Sequence, residues 1–231
     1  PYPVFVLTGY AGTGKTSLLG AIVKTLHSYK IGTRLLAPTG KASKILSLNS
    51  GTSAFTIHKI IYRRKEKTDE FNNIQLAPNL QANTVFIVDE ASMIGDFTLA
   101  SDGNVNQRNL LEDLIEFVYS GKNCKLILLG DVGQLPPVGS SESPALNPEY
   151  LRLHFSKLTI HGASLSEVLR QEHQSSILKN ATELRNLGDS YLPQISCEKN
   201  GDLVLLNGEQ LQDQLESSFS NFGTEDTILI T

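Results

Sequence analysis

Cysteine is nearly absent from the 231-residue sequence, which holds only Cys124 and Cys197. The two lie far apart, with no CxxC or HxxxH spacing around them. That excludes a disulfide framework and a structural zinc site, and it points to a reducing compartment. No apolar run approaches the length of a membrane span, and the N-terminus lacks the basic start and extended hydrophobic stretch of a secretory signal. A soluble, cytoplasmic protein without a membrane partner is expected. Excess positive charge is missing too, since 20 Lys and Arg against 24 Asp and Glu leave −4. Any polyanion must therefore be held by a local patch rather than by global attraction. The remainder, 40% hydrophobic and 19% charged, is the composition of an ordinary globular chain. Its length suits one large domain, residues 1–231, carrying an elaboration.

Short apolar runs alternate with segments of helical period. Val4 to Leu7, Arg34 to Ala37, Val85 to Val88, Leu126 to Leu129 and Leu203 to Leu206 read as buried parallel strands. After the first, Leu18, Leu19, Ile22, Val23 and Leu26 recur with the period of a helix, and Gly32 is a plausible stop. This βαβ order predicts an α/β fold in which helices cover both faces of a parallel sheet. The segment 62–83 breaks the rhythm. Its Asn72-Asn73, set between apolar neighbours, is a candidate turn for a small β-hairpin.

Gly9-Tyr10-Ala11-Gly12-Thr13-Gly14-Lys15-Thr16 matches G-x-x-x-x-G-K-[ST] directly after the first strand and at the head of the first helix. Glycines let such a loop turn its amide N–H groups inward around phosphate oxygens. The helix N-terminus adds partial positive charge there, and Lys15 brings a full one to the β and γ phosphates. Gly12, Thr13, Gly14, Lys15, Thr16 and Ser17 are the candidate phosphate-binding residues, with the Thr16 hydroxyl a ligand for Mg²⁺. The loop alone does not choose among kinases, GTPases, transporters and helicases. Val85-Phe86-Ile87-Val88 runs into Asp89-Glu90, which puts two carboxylates at the sheet edge where open α/β folds bind ligands. Asp89 is placed to hold the Mg²⁺ water shell, and Glu90 to take a proton from an attacking water, a hydrolase arrangement.

The third strand end, Gly130-Asp131-Val132-Gly133-Gln134-Leu135-Pro136-Pro137, resembles motif III of superfamily 1 DNA helicases. Other segments follow in that family's order. Ala37-Pro38-Thr39-Gly40-Lys41-Ala42-Ser43 resembles motif Ia, Thr56-Ile57-His58-Lys59-Ile60 motif Ib, and Asp89-Glu90-Ala91-Ser92-Met93 the helicase form of Walker B. Leu165-Ser166-Glu167-Val168-Leu169-Arg170-Gln171 is similar to motif IV of the 5′-to-3′ RecD/Dda branch, which includes the exonuclease V alpha subunit.

The resemblance implies a RecA-like motor domain fuelled by ATP and Mg²⁺ and moving 5′-to-3′ on single-stranded DNA in repair, recombination or replication. It implies a protein associated with the nucleoid in a bacterium, acting as a monomer or with nuclease or repair-complex subunits. Gln134 would sense the γ-phosphate and Arg170 would reach it. Thr39, Lys41, Thr56 and His58 would meet the DNA backbone; the bottom-up alternatives are that Thr39 and Thr56 cap helices and that His58 is structural. The 62–83 insert falls where relatives carry a strand-separating pin, although Arg63-Arg64-Lys65-Glu66-Lys67 reads equally as a solvated charged face.

Pro1 at the start and the strand-like run Thr227 to Thr231 at the end suggest a fragment whose second motor domain begins after about residue 226. Without that domain's arginine, ATP should bind but be hydrolysed slowly. Without an upstream adenine-holding segment, base preference should weaken. Two rivals are a small-molecule or nucleotide kinase and a non-catalytic nucleotide-binding subunit of a recombination complex.

Overall fold

A computed structural model describes residues 2–64, 74–96, 109–167, 175–186, 192, 194–197 and 202–227. The chain divides into two compact units, 1–170 and 171–231.

In the first unit, β1 (Tyr2–Gly9), β2 (Gly32–Ala37), β3 (Ala54–Thr56), β6 (Thr84–Val88), β7 (Lys125–Gly130) and β8 (Leu158–Leu165) form one sheet in the order β3-β2-β6-β7-β1-β8. Every neighbouring pair in it is parallel. All five residues of β6 are buried, as expected of a central parallel strand covered on both faces. Alternate side chains feed two cores. Val4, Val6, Leu36, Phe86, Val88, Leu126 and Leu128 pack in one cluster with Ile57 and Ile61 of α3 (Ile57–Ile61), with Leu111, Leu114 and Phe117 of α4 (Leu110–Ser120), and with Leu151 of α5 (Pro148–His154). Leu7, Leu35, Ala37, Val85, Ile87 and Leu129 pack in another with Leu19 and Val23 of α1 (Lys15–Ser28) and Leu46 of α2 (Gly40–Ser50). Phe86 meets Phe117 edge-on at 5.8 Å between ring centroids, a favoured aromatic geometry.

Local details depart from expectation in places. The first helix does not stop at Gly32. It ends at Ser28, and Lys30 takes the left-handed turn at φ 57°, while Gly32 opens β2. Glycine is needed there for space, because a Cβ would lie 2.8 Å from the Thr84 hydroxyl oxygen. β4 (Tyr62–Arg64) pairs antiparallel with β5 (Ile74–Leu76), and Arg64 stands opposite Ile74. The connection between them carries the candidate turn Asn72-Asn73. Its residues 65–73 lie outside the described residues.

In the second unit, α6 (Ser176–Asn186) and α7 (Gly208–Asp226) are helical. Asn207 and Gln210 close a reciprocal capping box at the head of α7, and Gly223 breaks it at φ 76°. The Asp202 carboxylate caps α6, accepting from the Ser175 hydroxyl and from the N–H groups of Ser176 at 2.6 Å and Ile177 at 3.3 Å. The expected strand Leu203 to Leu206 does not form. Those residues are irregular, with Val204 67% and Leu205 83% exposed, and among the described residues no strand pairs with them. Residues 228–231 lie outside the described residues, as does Arg170. Among the described residues no helix is long and apolar enough to cross a membrane.

Candidate functional site

Three adjacent strands, β6, β7 and β1, end side by side, so residues far apart in sequence converge at one edge of the sheet. From β1 the chain enters the glycine-rich loop. Gly12 and Gly14 take φ of 81° and 87°, which only glycine adopts without strain and which turn successive N–H groups to one side. Thr13 is buried and donates to the Tyr10 carbonyl through both its N–H, 3.3 Å, and its hydroxyl, 2.8 Å. Gly9 has no room for a side chain, since a Cβ would sit 2.7 Å from Thr13 Oγ1 and 3.1 Å from the Leu165 carbonyl on β8. Lys15 folds back across the loop, its Nζ donating to Gly9 O at 2.5 Å and Tyr10 O at 2.8 Å. Thr16 is half-buried and Ser17 exposed in the first turn of α1.

Asp89 and Glu90 follow β6 directly. One Asp89 oxygen accepts the Glu90 N–H at 3.0 Å, and Glu90 adopts a left-handed φ of 54° that opens the 3-10 turn Ala91–Met93. Burial pushes the Asp89 carboxyl above its ordinary range, opposed by the Glu90 N–H and by the charge of Lys15. Burial also raises Glu90, helped by the neighbouring Asp89 charge and opposed by a hydrogen bond from Gln134 and by Lys15. Lys15, Asp89, Glu90 and Gln134 thus act on one another electrostatically. A carboxyl raised in this way is a better proton acceptor when ionised.

Gln134 comes from the loop after β7. Asp131, buried at the strand end, accepts the Gly133 N–H at 2.8 Å, and its carbonyl accepts the Gln134 N–H at 3.2 Å, which turns the chain back toward the acids. The ring of Tyr10 lies against Gly133, 3.3 Å from where a Cβ would stand, so the phosphate loop and the glutamine loop are in contact. Sequence reading assigned no role to Tyr10, Asp131 or Ser92. The Ser92 hydroxyl, fully buried, donates to Gln134 Oε1 at 3.2 Å. Its place in the Asp89-Glu90-Ala91-Ser92-Met93 segment was the available signal.

The residues present fit a magnesium triphosphate. The loop offers inward N–H groups and a lysine charge, and a threonine hydroxyl and a carboxylate are hard oxygen donors of the kind Mg²⁺ takes. Among the described residues no group of three or more His, Cys, Asp or Glu forms a metal cage, and Mg²⁺ at phosphates commonly takes only one or two protein ligands.

The other expected site residues lie toward the β2–β3 edge. Thr39 caps α2, its hydroxyl oxygen accepting the Ala42 N–H at 3.2 Å, and Thr56 caps α3, accepting the Lys59 N–H at 3.3 Å. The capping role is therefore real for both, and each hydroxyl keeps a hydrogen to donate. Lys41 and His58 are exposed, the His58 ring tilted against Tyr62 at 5.6 Å.

A glycine loop at the end of one strand, an acid pair at the end of a second and a glutamine at the end of the strand between them define a P-loop nucleotide-binding domain. Residues 2–196 match the family described as AAA domain. The chain belongs to that family, within which it is a motor-type domain like those of the RecD/Dda branch of superfamily 1 helicases. It is 34% identical over 184 residues to "ATP-dependent DNA helicase dda" of Enterobacteria phage T4, covering 78% of this chain and 37% of that protein. Over 133 residues it is 34% identical to "ATP-dependent RecD2 DNA helicase" of Deinococcus radiodurans, covering 58% of this chain and 16% of that protein. The Pif1 helicase structure from Candida albicans aligns with 81% of this chain and 42% of its own at 22% identity, TM-score 0.48. The chain spans well under half the length of these relatives.

Proposed function

We propose that the protein containing this chain is an ATP-dependent DNA helicase and that residues 2–167 form its first motor domain. The observation that carries this reading is the meeting of Lys15, Asp89, Glu90 and Gln134 at the ends of three neighbouring strands, with Lys15 and Gln134 both offsetting the raised pKa of the carboxylate placed to activate water. The loop amides and Lys15 hold the β and γ phosphates, Thr16 and Asp89 hold Mg²⁺, and Glu90 takes the proton of the attacking water. Gln134 donates to the γ-phosphate while it is present and loses that partner on hydrolysis. The described residues include no arginine for the developing transition-state charge. Arg170 and a second motor domain fill that role in this reading, so the chain alone turns over slowly.

Single-stranded DNA crosses the β2–β3 edge, where hydroxyl, lysine and imidazole groups of Thr39, Lys41, Thr56 and His58 contact phosphates without reading bases. Movement is 5′-to-3′, and the β4–β5 hairpin stands where a strand-separating element would. The names of the relatives support the activity. The capping geometry of Thr39 and Thr56 supports them as rigid contact points.

The test is MgATP turnover by the full-length protein with and without single-stranded DNA, alongside Glu90→Gln. Turnover should be stimulated by DNA. The substitution should lower it by about 10²- to 10⁴-fold, the usual contribution of a general base, while MgATP affinity is retained. Phosphate transfer to a small-molecule hydroxyl would point to a kinase instead. Unwinding that survives Glu90→Gln would point to a non-catalytic nucleotide module.

A further inference from the structure

Ser92 lies on the turn that follows the acid pair, and its fully buried hydroxyl donates to Gln134 Oε1 across 42 positions of sequence. A glutamine amide has one accepting and one donating end. With Oε1 occupied by Ser92, the NH₂ end is the one left to donate, in line with the lowering influence of Gln134 on the Glu90 carboxyl. The opposite orientation would set the amide oxygen against that carboxylate, acceptor against acceptor. Ser92 is itself held. Its carbonyl accepts the Ser143 hydroxyl at 3.1 Å, and its backbone N would stand 3.0 Å from a Cβ at Gly130, so the turn is seated directly on the end of β7. Asp89, Glu90 and Ser92 thus belong to one short, anchored piece of chain. Gln134 belongs to an exposed loop that needs an external reference to be aimed.

We propose that Ser92 is a positioning residue for hydrolysis: its hydroxyl fixes which end of the Gln134 amide faces Glu90 and the γ-phosphate. The Ser92 side chain is fully buried. It acts through Gln134, holding the sensing amide in register with the base while the loop around it is exposed. The inference rests on the ATPase reading above.

A double-mutant cycle in the full-length protein tests it, with Ser92→Ala, Gln134→Ala and the pair assayed for MgATP turnover under DNA-stimulated conditions. Ser92→Ala should lower kcat about tenfold, the scale of one lost orienting hydrogen bond, with KM for MgATP within about twofold of wild type. Gln134→Ala should cost more, and adding Ser92→Ala to it should cost almost nothing further, because the serine's partner has already gone. Ser92→Cys, which roughly fills the space with a weaker donor, should fall between serine and alanine and guards against a folding loss in the alanine variant. Full additivity of the two losses, an effect confined to KM, or wild-type kcat in both Ser92 variants would overturn the positioning role and leave the ATPase reading intact. Absence of turnover in the wild-type protein overturns both together.

Discussion

Replacing Gly130 by alanine should damage both the stability and the chemistry of this domain. A Cβ there would lie 2.6 Å and 3.2 Å from the two methyl carbons of Leu146 and 3.0 Å from the Ser92 backbone nitrogen. The closest of these is roughly 1 Å inside the usual carbon–carbon separation of about 3.5–4.0 Å. Leu146 is only 3% exposed and packs in the core beside Val88, Ala91 and Leu128, so relieving the clash means displacing a packed side chain. Overpacking of this kind costs about 1–3 kcal/mol. With a urea dependence of about 1–3 kcal/mol per molar, the unfolding midpoint of the domain should fall by about 1 M. Pulse proteolysis of the full-length protein at graded urea reads that midpoint.

The rest of the strain goes to the turn carrying Ser92, and with it to the acid pair. Since a 1 Å displacement of reacting groups can cost about 10²-fold, a shift of a few tenths of an ångström should lower kcat by about tenfold. Pairing Gly130→Ala with Leu146→Ala separates the two effects. The double variant should be more stable than the sum of the single losses predicts, because the shortened side chain vacates the contested space. Turnover should stay low. A Gly130→Ala protein with the wild-type midpoint and wild-type kcat would refute the packing argument.

Lys15→Ala removes the charge that spans the phosphate loop and should weaken MgATP binding by about 10- to 150-fold, the worth of a charge-assisted hydrogen bond; titration with a fluorescent nucleotide measures it, and unchanged affinity would exclude the proposed phosphate site. In the second unit, the Ser175 hydroxyl and two helix N–H groups hold the Asp202 carboxyl below the usual carboxylate range. Its folded value is depressed, so its contribution is complete above the unfolded value of about 3.9 and disappears as pH falls through the folded one. Hydrogen-exchange protection of Ser176 and Ile177 should therefore hold from neutral pH to about 4.5 and drop below about 4. Asp202→Asn should lower it already at pH 7, and equal protection in the two proteins there would dismiss the cap.

The central strands were legible because each is a continuous apolar run, and β1, β2, β6 and β7 all lie where those runs lie. β8 was not. At the sheet edge only Ile160 of Leu158–Leu165 is buried, so His161, Gly162 and Ser164 interrupt any apolar signal and the strand is defined by its eight-residue pairing with β1. β3, three residues long, is too short to carry a period. Leu203 to Leu206 misled for the converse reason, since four apolar residues in a row resemble a buried strand whether or not a neighbour exists to pair with them. The convergence of Lys15, Asp89, Glu90 and Gln134 was legible because the loop pattern and the strand ends fix local spacings. The Ser92 to Gln134 bond was not, because it joins two loops that only the sheet order brings together.

That order places β7 with a hydrogen-bonded ladder on each side, β6 against one edge and β1 against the other. Sliding β7 would break both ladders at once, which makes it a fixed post rather than a piston. The loop beyond Gly130 therefore departs from a strand held in register on both edges. Gln134 is thus borne on a short loop whose base is fixed by the sheet.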